Sequence, residues 1–322
     1  PATFAAARLY NPIVGYQNQP AILPTAFGNP ELRPERGEEL EVGFDLKLWN
    51  RVDVTFTRFD RIVKDAIVNR PLPPSSGFAP ITGGTGVQIV NIGRLDAWGN
   101  ELGLNTRVLG GRRLEWSVGT QLSTMRNRIR DLGGLPFISL GTQAQNREGY
   151  SIADLFMLHI RRATIDSVGR VLSATCDGGT GADGLQPGGA DVPCAQARQL
   201  FLGRSQPTWT FGFDNNVTLW QRLRLYARVE GNGGHKQVNT EIRATHNQST
   251  SEAVLRRDNP ILQATRILEN DRTGVYEAGF LRLREVSATF DLAENTARRL
   301  GVRRASISAG MRNVAMLWTA QH

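Results

Sequence analysis

Residues 40–59, LEVGFDLKLWNRVDVTFTRF, alternate apolar and polar side chains for nine positions, break at Trp49-Asn50-Arg51, and alternate again. Leu40, Val42, Phe44, Leu46 and Leu48 share one face, opposite Glu41, Asp45 and Lys47. After the break Val52, Val54 and Phe56 stand against Asp53, Thr55 and Thr57. Successive side chains on a strand point to opposite faces, so the stretch is a hairpin with one apolar and one polar face. Its turn is expected at Asn50-Arg51.

Three further hairpins follow the same count. NELGLNTRVL (100–109) meets RLEWSVGTQLS (113–123) across Gly110-Gly111-Arg112, with Leu114, Trp116, Val118 and Leu122 opposing Glu115, Ser117, Gln121 and Ser123. Trp209, Phe211, Phe213, Val217 and Leu219 oppose Thr210, Asp214, Asn216 and Thr218. After Trp220-Gln221-Arg222 the return strand sets Leu223, Leu225, Ala227 and Val229 against Arg224, Arg228 and Glu230. The fourth joins FLRLREVSATFDL (280–292) to RASISAGMRNV (304–314) through AENTARRLGVR, a short helical turn ended by Gly301; alternation is weaker there.

The connections alternate as well. Those inside hairpins are short, while 69–87, 127–207 and 232–278 are long and rich in Gly, Asn, Asp, Ser, Thr and Pro. Compact soluble domains use loops of about 4 to 6 residues. Outer-membrane barrels have short periplasmic turns and long extracellular loops. Strands of about 10 residues tilted about 45° climb roughly 23 Å, close to the apolar band of such barrels. Trp49, Trp220 and Trp209 fall at strand ends, where a headgroup girdle is placed. The expected fold is therefore all-β, an antiparallel transmembrane β-barrel portion with about eight to ten strands, any beyond eight lying inside the long loops. No run of the sequence is apolar enough for a spanning helix.

The net charge of +8 is almost all arginine, since Lys47, Lys64 and Lys236 are the only lysines among 38 basic residues. These arginines are scattered over strands and loops with no basic helix, which argues against nucleic acid as a partner. Cys176 and Cys194 flank a Gly/Asp/Pro-rich insert, and a disulfide closing it would add about 3 kcal/mol in an oxidising compartment, two unpaired thiols being the alternative. GTGADG (179–184) matches a dinucleotide fingerprint in letters but neither follows a strand nor opens a helix, so it is expected to be loop. His159, His235, His246 and His322 have no metal-ligand spacing. No nucleophile-elbow pattern occurs, and neither enzyme activity, cofactor nor metal is expected. Tyr150, His159, His235 and Tyr276 are types that could line a solute vestibule, though none is singled out as a ligand contact. Residues 11–30 read as loop sequence at the start of an internal piece.

Several runs, in order, resemble the SusC/RagA group of TonB-dependent outer-membrane receptors. NPELRPERGEELEVGFDLKLWN resembles that group's lead into a barrel strand, through Asn29, Pro30, Leu32, Pro34 and Glu35. PLPPSSGF (71–78) resembles the loop that follows, and NIGRLDAWGNELGLN is similar through Asn91, Gly93, Gly99, Glu101 and Leu102, with Ala97 where the group has Asn. FLGRSQPTWTFGFDNNVTL and the near-terminal GMRNV, with Val314 in place of Leu, complete the set.

The resemblance implies a plugged barrel of about 22 strands in the bacterial outer membrane. Residues 1–322 would be a partial barrel domain lacking plug and last strand, with 127–207 and 232–278 as extracellular loops. It also implies uptake of a large nutrient (glycan, peptide or siderophore-like), energised by TonB through a missing N-terminal segment, with a possible SusD-like lid lipoprotein. A passive porin or adhesin-like barrel is the alternative, and a secreted glycan-binding β-protein a third.

Overall fold

A computed structural model describes residues 6–78, 86–141, 143–239, 241, 251–268 and 274–320. His246, His322 and parts of the 69–87 and 232–278 connections lie outside these residues. In chain order the strands are β1 (Leu9–Val14), β2 (Pro20–Ala26), β3 (Arg36–Leu48), β4 (Val52–Pro71), β5 (Val87–Gly110) and β6 (Leu114–Asp131). Short strands follow as β7 (Ile138–Ser139), β8 (Ala144–Asn146), β9 (Asp154–Met157), β10 (Ile160–Ile165), β11 (Val171–Asp177), β12 (Asp191–Pro193) and β13 (Leu200–Gly203). The series closes with β14 (Trp209–Leu219), β15 (Leu223–Gly233), β16 (Lys236–Val238), β17 (Val275–Glu277), β18 (Phe280–Asp291) and β19 (Ser306–Thr319).

The contacts divide the chain into two units. The second holds residues 41–58, 99–125 and 153–322, and its frame is an eight-stranded sheet in the order β19-β18-β15-β14-β6-β5-β4-β3. These eight strands are the four hairpins named from alternation. Register keeps the apolar positions together across strands: Val217 lies between Trp116 and Leu225, and Leu225 pairs with Ala288, which pairs with Ala309. On the other face Asp214 pairs with Arg228, and Glu230 with Arg282. The apolar face is open: Phe44, Ile307 and Met311 are 55%, 65% and 62% exposed.

The weak alternation of the last hairpin has a cause. Leu281 and Leu283 are odd-numbered, whereas Val286, Ala288 and Phe290 are even, so an unbroken strand would send the two groups to opposite faces. Against β15 the register shifts between Arg228 and Val229, leaving Arg284 as an extra residue of β18; against β19 it shifts between Leu283 and Glu285, where the extra residue belongs to β19, between Arg312 and Ala315. The bulge at Arg284 returns both groups to the apolar face.

Two hairpins turn through Trp49-Asn50 and Trp220-Gln221, all four residues with φ between +49° and +59°. Arg51 N–H donates to Leu48 O at 2.9 Å, and Arg222 N–H to Leu219 O at 3.0 Å. These are two-residue turns of the kind whose twist matches the flanking strands. The first is therefore one residue earlier than the sequence suggested.

The helix Glu294–Arg299 ends as expected at Gly301, φ +76°. Gly301 N–H donates to Arg298 O at 3.0 Å and Val302 N–H to Ala297 O at 3.1 Å, the paired bonds of a Schellman end.

The first unit holds residues 1–40, 59–98 and 126–152. Its core is Ile129, Leu132 and Ile138, with Val68, Leu95, Leu135 and Ile152 packed around them.

Three expectations are corrected. Residues 11–30 do not form a loop: β1 and β2 pair from Leu9↔Ala26 to Val14↔Pro20, a two-stranded ribbon that tolerates Pro12, Pro20 and Pro24 because an edge strand needs few N–H donors. β4, β5 and β6 run 20, 24 and 18 residues, well past the length of about 10 that a bilayer crossing needs. The 127–207 connection carries seven short strands rather than two at most, and 232–278 carries the helices Glu252–Arg256 and Pro260–Ile267. The second is capped by Asn259, whose Oδ1 accepts from Leu262 N–H at 3.1 Å, and it packs against β10 and β11. No helix among the described residues is long and apolar enough to cross a membrane.

Candidate functional site

The polar face of the eight-stranded sheet is laced by cross-strand ion pairs. Tyr226 Oη donates to Asp214 Oδ1 at 2.5 Å, and Arg228 Nη1 reaches the two oxygens of Asp214 at 3.1 and 3.3 Å. Arg228 also faces Glu230 at 3.8 Å. Glu230 accepts from Arg282 at 2.6 and 2.9 Å and lies 3.5 Å from Arg284; Glu285 faces Arg312 at 3.4 Å. Opposite charges on paired strands attract, and each group keeps its hydrogen-bonding capacity used without a dry core. The result is a wettable wall. A groove of about 550 Å³ runs along it, bordered by Glu101, Gln121, Thr210, Arg228, Glu230 and Arg282.

The apolar face carries polar groups where they are partnered. Asn215 sits among Phe213, Val217 and Ala227, and its Oδ1 accepts from Trp116 Nε1 at 2.7 Å. A bond of this kind is what lets an amide stand on an apolar surface.

The 127–207 connection contains a covalently closed insert. Cys176 and Cys194 are joined by a disulfide with Cα atoms 4.8 Å apart. Next to it Asp177 is fully buried and accepts backbone N–H donors from Gly179 (2.9 Å), Gly188 (2.7 Å) and Gly189 (2.8 Å), together with Arg161 Nη2 (2.8 Å). Burial alone would push this carboxyl up, but the three N–H groups and the guanidinium hold it well below the usual carboxylate range. Arg161 also donates to Asp191 at 2.8 Å, tying β10 to β12.

Of the glycines that imitated a nucleotide motif, Gly179 helps to wrap Asp177, together with Gly188 and Gly189 from outside the motif. Gly179 has φ +81°, and a Cβ on Gly189 would lie 2.1 Å from the Gly179 carbonyl, so backbone must pass where a side chain would not fit. They precede no helix.

The residues considered for a vestibule are placed apart in role. His159 Nδ1 stands 3.4 Å from Asp177, inside this brace. His235 is buried, which pushes its imidazole pKa down against an opposing pull from Glu277. Tyr276 is exposed on β17 and donates to Gln237 at 3.3 Å. Tyr150, in the first unit, gives its carbonyl to Ile129 N–H at 2.8 Å.

In the first unit the motif residues form a clamp. Asn91 accepts from Arg33 N–H at 2.8 Å and donates to Arg33 O at 2.7 Å and Asp65 O at 2.9 Å, standing in for a missing strand. Asn29 Nδ2 donates to Ile89 O at 3.0 Å, and Glu35 accepts from Ile67 N–H at 2.6 Å. Gly93 leaves room for Ala66, whose Cβ would be 2.7 Å from an added one. Spacing alone gave no hint that these polar residues hold backbone rather than solute.

Residues 3–155 match the model of the family described as TonB dependent receptor-like, beta-barrel. That part of the chain, a little under half of it, is similar to the barrels of TonB-dependent receptors. TonB-dependent receptor P3 of Formosa agariphila is 25% identical over 321 residues, covering 90% of this chain and 30% of that protein. TonB-dependent receptor P39 of the same organism is 26% identical over 161 residues, 48% of this chain and 15% of that one. Among solved structures, the RagAB peptide importer in the closed-closed state superposes with a TM-score of 0.76 at 19% identity, covering 98% of this chain and 35% of the other.

A second structure, of the RagAB peptide transporter, gives 0.75 at 19% identity, with 97% and 35% coverage. The fold of this chain is that of these RagAB structures, and its place is the bacterial outer membrane. The chain spans about a third of the length of the relatives and structures it matches over most of itself.

Proposed function

We propose that residues 1–322 form part of the barrel domain of an outer-membrane transporter that takes up a large nutrient, with 127–207 and 232–278 as its extracellular loops. The observation that carries this reading is the two-faced sheet: a mainly apolar ladder on one side and an ion-paired, wettable wall on the other. Lipid offers no partners to polar groups, so only the ladder suits it, and the charged wall suits a lumen. Further strands beyond β3 and β19, to a total of about 22, would close the barrel.

TonB would supply energy through a segment N-terminal to this piece, and a SusD-like lid lipoprotein would close over the solute; the names of the relatives and the RagAB likeness support both. The Cys-closed insert would be part of the solute-facing rim, held rigid by Asp177. Glycan, peptide and siderophore-like ligands all fit a wall of this mixed charge. The test is energised uptake in cells carrying the full-length receptor. Accumulation of a labelled oligosaccharide or peptide that stops when TonB is removed supports the reading. TonB-independent accumulation, or ion current through the purified protein in a planar bilayer, would replace it with a passive porin.

A further inference from the structure

The charge of this chain is concentrated at one end of its sheet. Because the eight strands alternate in direction, the turns at 49–51, 111–113 and 220–222 and the corner 292–305 all lie at the same edge, the short-turn end. Backbone bonds join them: Arg107 N–H to Arg51 O (2.7 Å), Trp220 N–H to Arg113 O (2.8 Å) and Asp291 N–H to Arg222 O (2.9 Å). These four connections contain Arg51, Arg112, Arg113, Arg222, Arg298, Arg299, Arg303 and Arg304 against one acid, Glu294. Eight cations less one anion is +7, nearly the whole chain's +8.

Neutralisation is sparse there. All eight arginines are exposed. Among the described residues Arg298 alone of the eight has an acid within 4.0 Å, Glu294 at 3.9 Å; the other ion pairs at this edge use Lys47, Arg107 and Arg224.

The apolar neighbours set the level. Trp49 and Trp220 are 80% and 66% exposed, and each stands two residues before one of the arginines. In RRLGVRR (298–304) two arginine pairs flank Leu300 and Val302, 66% and 45% exposed, both fixed by the Schellman end at Gly301. Exposed apolar groups bracketed by cations are the composition of an interfacial anchor. Tryptophans mark the headgroup layer on a membrane protein, so the guanidiniums beside them lie where phosphates are.

We infer that the short-turn rim of this receptor, centred on Arg298, Arg299, Leu300, Val302, Arg303 and Arg304, binds the phosphate headgroups of anionic phospholipids in the periplasmic leaflet. Guanidinium forks hydrogen-bond phosphate oxygens in pairs, and Leu300 and Val302 dip into the acyl boundary beneath them. The rim thereby fixes the depth of the barrel in the bilayer. This rests on the membrane placement of the sheet and is independent of which solute is carried or whether TonB energises it.

The experiment uses the full-length receptor in detergent, titrated with phosphatidylglycerol or phosphatidylcholine and read by native mass spectrometry. Phosphatidylglycerol is expected to bind at least about tenfold more tightly, at roughly fivefold per engaged arginine for the first few. Replacing Arg298, Arg299, Arg303 and Arg304 together by Gln should remove most of that preference and leave phosphatidylcholine binding unchanged, while the fourfold Lys variant, which keeps the charge but not the forks, should retain part of it. A second variant, Arg112→Gln with Arg113→Gln, probes the rim without touching the helical corner, and heat-modifiable gel migration reports that each variant is folded.

Equal affinity for the two lipids, or an undiminished preference in both Gln variants, would overturn the inference. So would displacement of phosphatidylglycerol by inorganic phosphate at matched concentration, which would make this a free-anion site, or capture of an acidic periplasmic polymer in its place.

Discussion

Asp177 shows how a loop is made rigid from inside. Its carboxylate gathers three N–H groups and Arg161, so it is charged in the fold at any ordinary pH. Because its folded pKa lies below the unfolded value of about 3.8, its contribution is complete above that value and is lost as pH falls below it. Protease resistance of the insert should therefore hold at neutral pH and decline below about pH 4. Asp177→Asn leaves Arg161 short of a charge partner and should weaken the insert locally by about 3 kcal/mol, seen as faster cleavage within 171–200 in pulse proteolysis. Reducing the Cys176–Cys194 bond should cost a similar amount, about 3 kcal/mol, with two thiols becoming alkylatable in denaturant only after reductant.

The hairpins carry strain and correction of their own. Gln221 sits at φ +59° with no glycine to ease it, so Gln221→Gly is expected to stabilise the hairpin by about 1 kcal/mol, measured as a higher urea midpoint for folding into vesicles. Deleting Arg284 removes the bulge and throws Leu281 and Leu283 onto the wall that faces Glu230. That variant should fail to give the heat-modifiable folded band, whereas Arg284→Ala, which keeps the extra residue, should give it.

Across the sheet as a unit, the two faces must answer differently to the same change. Val286→Arg places a charge in the apolar ladder between Ala227 and Met311 and is expected to cost about 2 to 4 kcal/mol of folding into a bilayer. Asn216→Arg, on the wettable wall beside Ser117 and Tyr226, should cost less than about 1 kcal/mol in the same vesicle assay. Equal penalties would mean that the wall is not wet.

Eight strands, their directions and their faces were legible in the chain because alternation is local: each strand announces its own two sides within ten residues, and short turns leave the neighbour no choice. Gly301 and the paired cysteines were legible for the same reason of nearness. The β1–β2 ribbon was hidden because prolines signal loop to any local count, and only its partner strand shows that the missing N–H groups are not needed. The bulge at Arg284 was visible only as noise, since a phase slip acquires meaning when the register of β15 and β19 is known. Asp177 gave no signal, and Asn91 and Glu35 stood out only through the family resemblance, with no hint of what they hold. What they bind is backbone lying from 2 to 58 residues away, and a backbone N–H or carbonyl has the same chemistry in every residue, so its partner emerges from the folded path of the chain.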